Sequence, residues 1–483
     1  MTVRFTWNEL VEATGGHWLR EYASEDGICG VQDDSRQIAG GELFVAVRGE
    51  LADGYRYAAK ALRAGAAAIC LDREPDEDIL AALDETKAAC LLVPDALIAF
   101  QELARAHRRR LPHLLVVAIT GSCGKTSTKE MIAAVLNGKW PGLVHKTAGN
   151  FNNHFGVPRT LLELTGEHRA AVIELGSNHP GEIASLVRLA QPEIGVVSNI
   201  GSAHLEFFHD LAGVAEEKSD IFAGIAATGV CILPAEAAHI GTLRSKAAPR
   251  QTLSFGTTDA ADIQARYQGL VGEDYVVELA RPQTSEQAIL RWPIGGAHQA
   301  LNAAAAASVG LAAGLRFADS VAALATCQLP GMRMKVVEID GVRWVNDAYN
   351  ANPTSMRAGL DWFHDLLDPT LDAAHILVLG DMLELGPDAA TAHVDLLRWA
   401  KERFPQARIL TVGPLMTDAA GTCDLPSAAN AEDAAKLVQA WATPGALVFL
   451  KGSRGIALEH CLPRASDPHW HRNAPGTGGA GGV

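Results

Sequence analysis

The residues with the most chemistry to offer lie between Thr120 and Thr126, in the run Thr120-Gly121-Ser122-Cys123-Gly124-Lys125-Thr126. Glycines there let backbone N–H groups approach phosphate oxygens, a helix start favours an anion, a lysine neutralises it and a threonine hydroxyl reaches Mg²⁺. The pattern reads as a site for a nucleoside triphosphate, taken to be ATP. Its spacing departs from the common phosphate loop, because Ile119 stands where that pattern has its first glycine. An ordinary strand-to-helix turn is the alternative, and the lysine, the threonine and the flanking elements together favour phosphate.

Further polar groups follow. Glu174 ends the apolar run Ala171-Val172-Ile173, and His204 comes soon after Val197-Ser198-Asn199-Ile200-Gly201. Ligands of open parallel sheets gather at the carboxyl ends of strands, so both side chains could converge on the phosphates and a metal. A carboxylate suits Mg²⁺, whereas imidazole is an uncommon ligand for it, so composition alone does not select His204. The loop Asn150-Phe151-Asn152-Asn153-His154-Phe155-Gly156-Val157-Pro158 offers amides to a polar substrate, although Asn clusters equally form turns. The loop from Asn346 to Pro353 leads into a helix that either Asn352 or Thr354 caps.

The elements that position these groups can be read from pattern. Leu114 to Ile119 is a buried strand with a helix from Lys125 directly behind the loop, and apolar runs at Ala171–Leu175, Ile194–Ser198 and Val230–Leu233 alternate with helical stretches. That is a parallel sheet covered by helices. Before it lies a small α/β unit ending near residue 90 and a linker helix at 96–110. Gln251 to Ile294 reads as a β-rich appendage, His298 to Leu315 as an alanine-rich helix, and the strands at Lys335–Ile339, Ile376–Leu379, Ile409–Val412 and Leu447–Leu450 as a third α/β unit. The expected division is 1–90, 91–326 and 327–463, with 464–483 a disordered tail.

Composition narrows the function classes. The 483 residues exceed what one hydrophobic core supports, and 48% hydrophobic with 20% charged residues is a soluble, globular balance. No apolar run reaches the roughly 20 residues of a membrane span, and Met1 to Leu10 lacks the core of a secretory signal, so a cytoplasmic protein is expected. Eight scattered cysteines read as reduced thiols, and a net charge of −15 disfavours a nucleic-acid partner.

Taken in order, the segment Thr120 to Met131, the Asn150–Pro158 loop, Glu174 to Ile183 with Asn178-His179-Pro180-Gly181-Glu182, Asn199 to Glu206, and Asp347 to Pro353 resemble the Mur ligases of bacterial cell-wall synthesis. The resemblance runs from about Asp34 to Glu459. It implies three α/β domains: a small N-terminal domain for a UDP precursor, a central P-loop parallel-sheet ATPase domain and a C-terminal Rossmann-like domain. It implies ATP at Thr120, Gly121, Ser122, Cys123, Gly124, Lys125 and Thr126, with Asn302 at the adenine, Asp347 at the ribose and Arg333 at the γ-phosphate. Thr126, Glu174, His204 and Lys218 are then the Mg²⁺ site, Lys218 as a carbamate. Lys125, Glu174, His204, Lys218 and Arg333 form the catalytic set.

Ser35, Arg36 and Gly49 to Gly54 resemble a uridine-nucleotide site. Asn150, Asn152, Asn153, Asn178 and His179 are the further substrate contacts expected, and Tyr349, Asn350 and Asn352 resemble the dipeptide loop of one branch. The activity implied is ATP-dependent amide-bond formation through an acyl phosphate, adding D-alanyl-D-alanine to UDP-N-acetylmuramoyl-tripeptide in peptidoglycan precursor synthesis, by a monomer with small-molecule substrates only. A sister ligase adding a single amino acid, or glutamate to folate, and a P-loop ATPase switch are the alternatives. Whether lysine or diaminopimelate is third in the tripeptide stays open.

Overall fold

The computed structural model describes residues 3–21, 27–49, 52–367 and 373–463, so the expected tail at 464–483 lies outside the described residues. Three sheets organise the chain, and the class is mixed α/β. The first has five strands in the order His17–Arg20, Ala89–Leu92, Ala68–Leu71, Leu43–Val45, Val31–Gln32, parallel except for the first. The run from Ala89 continues to Leu92, so the expected boundary at 90 falls inside a strand, because apolar pairing with Ala68–Leu71 carries on beyond it.

The central sheet has nine strands. Leu115–Thr120 lies within it, flanked by Ala170–Glu174 on one side and Ile194–Val197 on the other, both parallel. Five of its six residues are buried, which accounts for a continuous apolar run where a one-sided strand would alternate. The chain first builds outward to Val144–Lys146 and Ala170–Glu174, then returns to the opposite side for Ile194–Val197, Val230–Pro234 and Gln251–Gly256. The carboxyl end of Leu115–Thr120 is therefore the topological switch point, where parallel sheets leave a crevice for ligand. The β-rich appendage resolves into the edge strands Ile263–Val271, Asp274–Arg281 and Glu286–Trp292, the last two antiparallel.

Helix Ala297–Ala312 packs against the phosphate-loop helix Lys125–Lys139. Ala303, Ala304, Ala305, Ala306 and Ala307 are all fully buried between that helix and the strands of the central sheet, and small side chains let the helix pack closely on every side. Enlarging one of them would overpack the contact at a cost of about 1–3 kcal/mol.

The third sheet has six strands, with Leu447–Lys451 inserted between Val342–Asn346 and His375–Gly380 and an antiparallel edge at Lys335–Ile339. It is fixed against the central appendage by Tyr267, whose hydroxyl lies 2.9 Å from Asp365 Oδ2, and by Tyr275, whose ring centre is 6.5 Å from that of Trp362. This docking turns the carboxyl ends of the third sheet's strands toward the crevice of the second.

Candidate active site

The phosphate loop is held from beneath by the segment after Ile194–Val197. Cys123 N donates to Asn199 Oδ1 at 2.8 Å, Ser198 Oγ donates to Cys123 O at 2.6 Å, and Ser122 Oγ donates to Gly201 O at 2.8 Å. Gly121 has φ +144° and a Cβ there would stand 2.1 Å from Ser198 Oγ, so no other residue fits. Ile119 is a buried strand residue opposite Glu174, and Gly121 supplies the flexibility that its position lacks. Lys125 begins the helix and folds back so that Nζ donates to Gly121 O at 2.7 Å. Burial holds its amine below the ordinary lysine range, partly offset by Glu174.

Glu174 is 2% exposed at the end of its strand. Asn152 Nδ2 donates to Oε1 at 2.9 Å, while buried Oε2 has no hydrogen-bond donor and lies 3.6 Å from Lys129 Nζ. Lys129 is itself buried, donating to Thr147 O at 2.8 Å and lying 3.3 Å from Glu130 Oε1. A buried carboxylate oxygen without a donor fits a divalent cation. Mg²⁺ takes oxygen ligands of this kind and completes its shell with phosphates and water.

Lys218 is 1% exposed on helix Leu211–Ala223, and its Nζ donates to Ser177 Oγ at 2.7 Å. Desolvation, then repulsion from Lys125, pushes it down to about 7. Its neighbour Glu217 points elsewhere, accepting from Gly181 N and Ile183 N at the start of helix Glu182–Ala190. His204 Nδ1 is in close contact with Glu384 Oε2, a carboxylate that this contact holds below its usual range. Glu384 belongs to the third unit, so the imidazole already has a partner from across the crevice.

Other loops of the third unit close over the phosphate loop. Arg333 Nη2 donates to Thr126 Oγ1 at 3.1 Å, and its guanidinium lies 3.8 Å from the Tyr349 ring centre. Asp347 Oδ2 lies 2.6 Å from Lys451 Nζ, and Oδ1 accepts from Met334 N at 3.2 Å. Lys451 also donates to Asn350 O at 3.0 Å. Asn352 is the cap of helix Pro353–Asp365, resolving the choice with Thr354, and its side chain lies 3.8 Å from Cys123 Sγ. From the alanine-rich helix, Asn302 donates to Gln299 Oε1 at 2.9 Å and stands beside Gly124, whose hypothetical Cβ would lie 2.8 Å from Asn302 Oδ1.

The expected substrate residues are spread more widely. Ser35 is buried and Arg36 is exposed but folded onto Asp34, with Nη2 2.7 Å from Oδ2. Asn153 Oδ1 caps the start of helix Gly156–Leu162 by accepting from Gly156 N at 2.9 Å, and Asn150 is exposed. Asn178 and His179 donate their backbone N–H groups to Glu182 Oε2. Asn153, His154, Gly176, Pro180, Glu182 and Ser185 line a cavity of about 350 Å³ beside them.

Four residues at or near this site carried no role in the sequence reading: Lys129, Lys451, Glu384 and Arg159. Lys129 alone had a signal, four residues after Lys125 on one helix and so on the same face.

Comparison with known proteins agrees with this architecture. Residues 27–108 match the model described as the Mur ligase family, catalytic domain, residues 119–310 the Mur ligase middle domain, and residues 332–454 the Mur ligase, glutamate ligase domain. A UDP-N-acetylmuramoyl-tripeptide--D-alanyl-D-alanine ligase of Bacillus subtilis is 33% identical, the match covering 95% of this chain and 98% of that protein. The ligase of that name in Escherichia coli is 37% identical over 79% of this chain and 81% of its own length. A crystal structure of MurF from Acinetobacter baumannii superposes with a TM-score of 0.85 at 32% identity, covering 95% and 98% of the two chains. MurF ligase from Thermotoga maritima in complex with ADP gives 0.76 at 26% identity, over 90% and 96%.

Proposed function

This chain belongs to the Mur ligase family, and from that premise we propose that it joins D-alanyl-D-alanine to UDP-N-acetylmuramoyl-tripeptide with ATP, forming an amide bond in peptidoglycan precursor synthesis. The observation that carries the reading within the site is the meeting of Arg333 with Thr126: a cation of the third unit reaches into the phosphate loop of the second. Such a cleft suits transfer of a phosphoryl group to an acceptor held away from water.

In this reading Lys125 and Arg333 neutralise the charge developing on the γ-phosphate while the tripeptide's terminal carboxylate attacks phosphorus and ADP leaves. The dipeptide amine then attacks the acyl carbon and expels phosphate, losing its proton. Positioning and charge neutralisation suffice, and no side-chain nucleophile is required. Thr126 and Glu174 would hold Mg²⁺, with His204 joining them on release from Glu384; bound there, the ion would supply charge neutralisation between phosphates and acceptor. Lys218 would carry a carbamate, for which its depressed pKa provides the neutral amine. Asn302 would meet the adenine and Asp347 the ribose, while Ser35 and Arg36 would hold the uridine nucleotide. The Asn150–Asn153 loop, Asn178 and His179 would contact the tripeptide arm, and Tyr349, Asn350 and Asn352 the dipeptide.

Eight free cysteines, together with the finding that no helix among the described residues is long and apolar enough to cross a membrane, support a cytoplasmic site of action. The deciding experiment is phosphate release from ATP with the nucleotide-tripeptide and the dipeptide added singly and together. Release should require both, with a stoichiometric peptide product. Release indifferent to either substrate would leave an ATPase and remove the ligase.

A further inference from the structure

A bidentate ion pair links the first unit to the central one at a place the reaction does not obviously need. Arg159, on helix Gly156–Leu162, donates from Nε to Asp33 Oδ1 at 2.8 Å and from Nη2 to Asp33 Oδ2 at 2.7 Å. The Asp33 side chain is only 5% exposed, against 36% for Arg159. Exposed ion pairs contribute little, but a forked arginine on a carboxylate removed from water is both stronger and directional.

What lies on either side of the pair gives it meaning. Asp33 directly precedes Asp34, whose carboxylate accepts from Arg36 N at 3.0 Å and binds the Arg36 side chain, so Asp33 anchors the turn carrying Ser35 and Arg36. In the other direction, the Arg159 guanidinium lies 5.4 Å from the Phe151 ring centre. Phe151 adjoins Asn152, which holds Glu174 Oε1 at 2.9 Å. Gly156 packs tightly against the loop, since a Cβ there would stand 2.3 Å from the Phe151 backbone. One guanidinium thus bridges the turn assigned to the uridine nucleotide and the loop that orients the metal-site carboxylate.

We propose that Asp33 and Arg159 are positioning residues that keep the first unit in register with the catalytic crevice, so that a substrate gripped at its uridine end presents its distant carboxylate in attack geometry. The proposal rests on the ligase reading above. Binding energy from a remote part of a substrate aids the chemical step only if the intervening protein is fixed, and small misplacements are costly.

Arg159→Ala, Asp33→Asn, the double variant and the charge exchange Asp33→Arg with Arg159→Asp test it. The single variants should lower kcat/KM for the nucleotide-tripeptide about tenfold. ADP affinity and KM for the dipeptide should stay unchanged, the double variant should be no worse than either single one, and the exchange should recover most of the loss. Unchanged kcat/KM in the single variants overturns the proposal. So does a loss shared equally by ADP affinity and dipeptide KM, the mark of general destabilisation. An unmutated enzyme inactive on the nucleotide-tripeptide would instead sink the ligase reading itself.

Discussion

If Lys218 carries the carbamate proposed above, removing carbon dioxide is the perturbation that reaches furthest into this site, because it acts through that amine. Burial and repulsion from Lys125 push the Lys218 amine from 10.5 down to about 7, so a substantial share of it is neutral near pH 7. An ordinary lysine would be neutral in only about three molecules in ten thousand at that pH, so burial enriches the nucleophilic form by orders of magnitude. Neutral Nζ attacks CO₂, an N–C bond forms, a proton leaves and a carboxylate results. Activity in CO₂-free buffer at pH 8 should fall at least about tenfold and return with bicarbonate. Lys218→Ala should lose about 10²–10³-fold, ignore bicarbonate and respond to a small carboxylic acid. ¹³C-bicarbonate should give a carbamate resonance in the unmutated protein alone.

The same lysine has a signature in stability. Its folded pKa lies below the unfolded one, so the unfolded chain binds more protons between about pH 7 and 10.5 and stability rises with pH across that window. Below about pH 7 the cost is fully present. Without CO₂, roughly 2 kcal/mol should be recovered between pH 7 and pH 9, and Lys218→Met should remove that slope in denaturant titrations. A constant stability difference between the two proteins across this range would refute the burial argument. Indifference of activity to CO₂ with no ¹³C signal would refute the carbamate.

Arg333→Ala should lower kcat by about 10²–10³-fold and leave ADP affinity within a few-fold, measured by steady-state kinetics and calorimetry, because the guanidinium meets the phosphate loop only from the third unit. ADP binding lost in parallel would contradict that. Gly121→Ala, with a methyl placed 2.1 Å from Ser198 Oγ at φ +144°, should cost about 1–3 kcal/mol in a thermal melt and abolish nucleotide binding. Normal ADP binding would show that the loop relaxes. N-ethylmaleimide should inactivate the enzyme through half-buried Cys123, with ATP protecting. Cys123→Ser should stay active and resist, and its equal sensitivity would point to another thiol.

Apolar runs bounded by turns were the legible part. Leu115–Thr120, Ala170–Glu174, Ile194–Val197 and Val230–Pro234 are buried on both faces, so their composition betrays them. The glycine-and-lysine loop was legible because phosphate binding restricts local residue choice. Contacts made by distant segments were not. Glu384 gives no local sign of meeting His204, and Asn152, readable as a substrate amide, turns inward to Glu174. Lys218 follows two glutamates and looks like part of a charged helix face. Its depressed pKa is a property of the packing around it, from Ser177 beside its amine to the Phe208 ring 5.2 Å away.

The row from Ala303 to Ala307 has a consequence that extends to the nucleotide. With no free space along it, these methyl groups act as a spacer gauge, setting how far Asn302 stands from Gly124. Adding a methylene to one of them, within about one and a half turns of Asn302, would shim the helix outward and tilt that asparagine with it. With Asn302 at the adenine, as proposed, purine affinity could then be altered by thickness alone. None of the five carries any chemistry, yet their size fixes where a residue of the site stands.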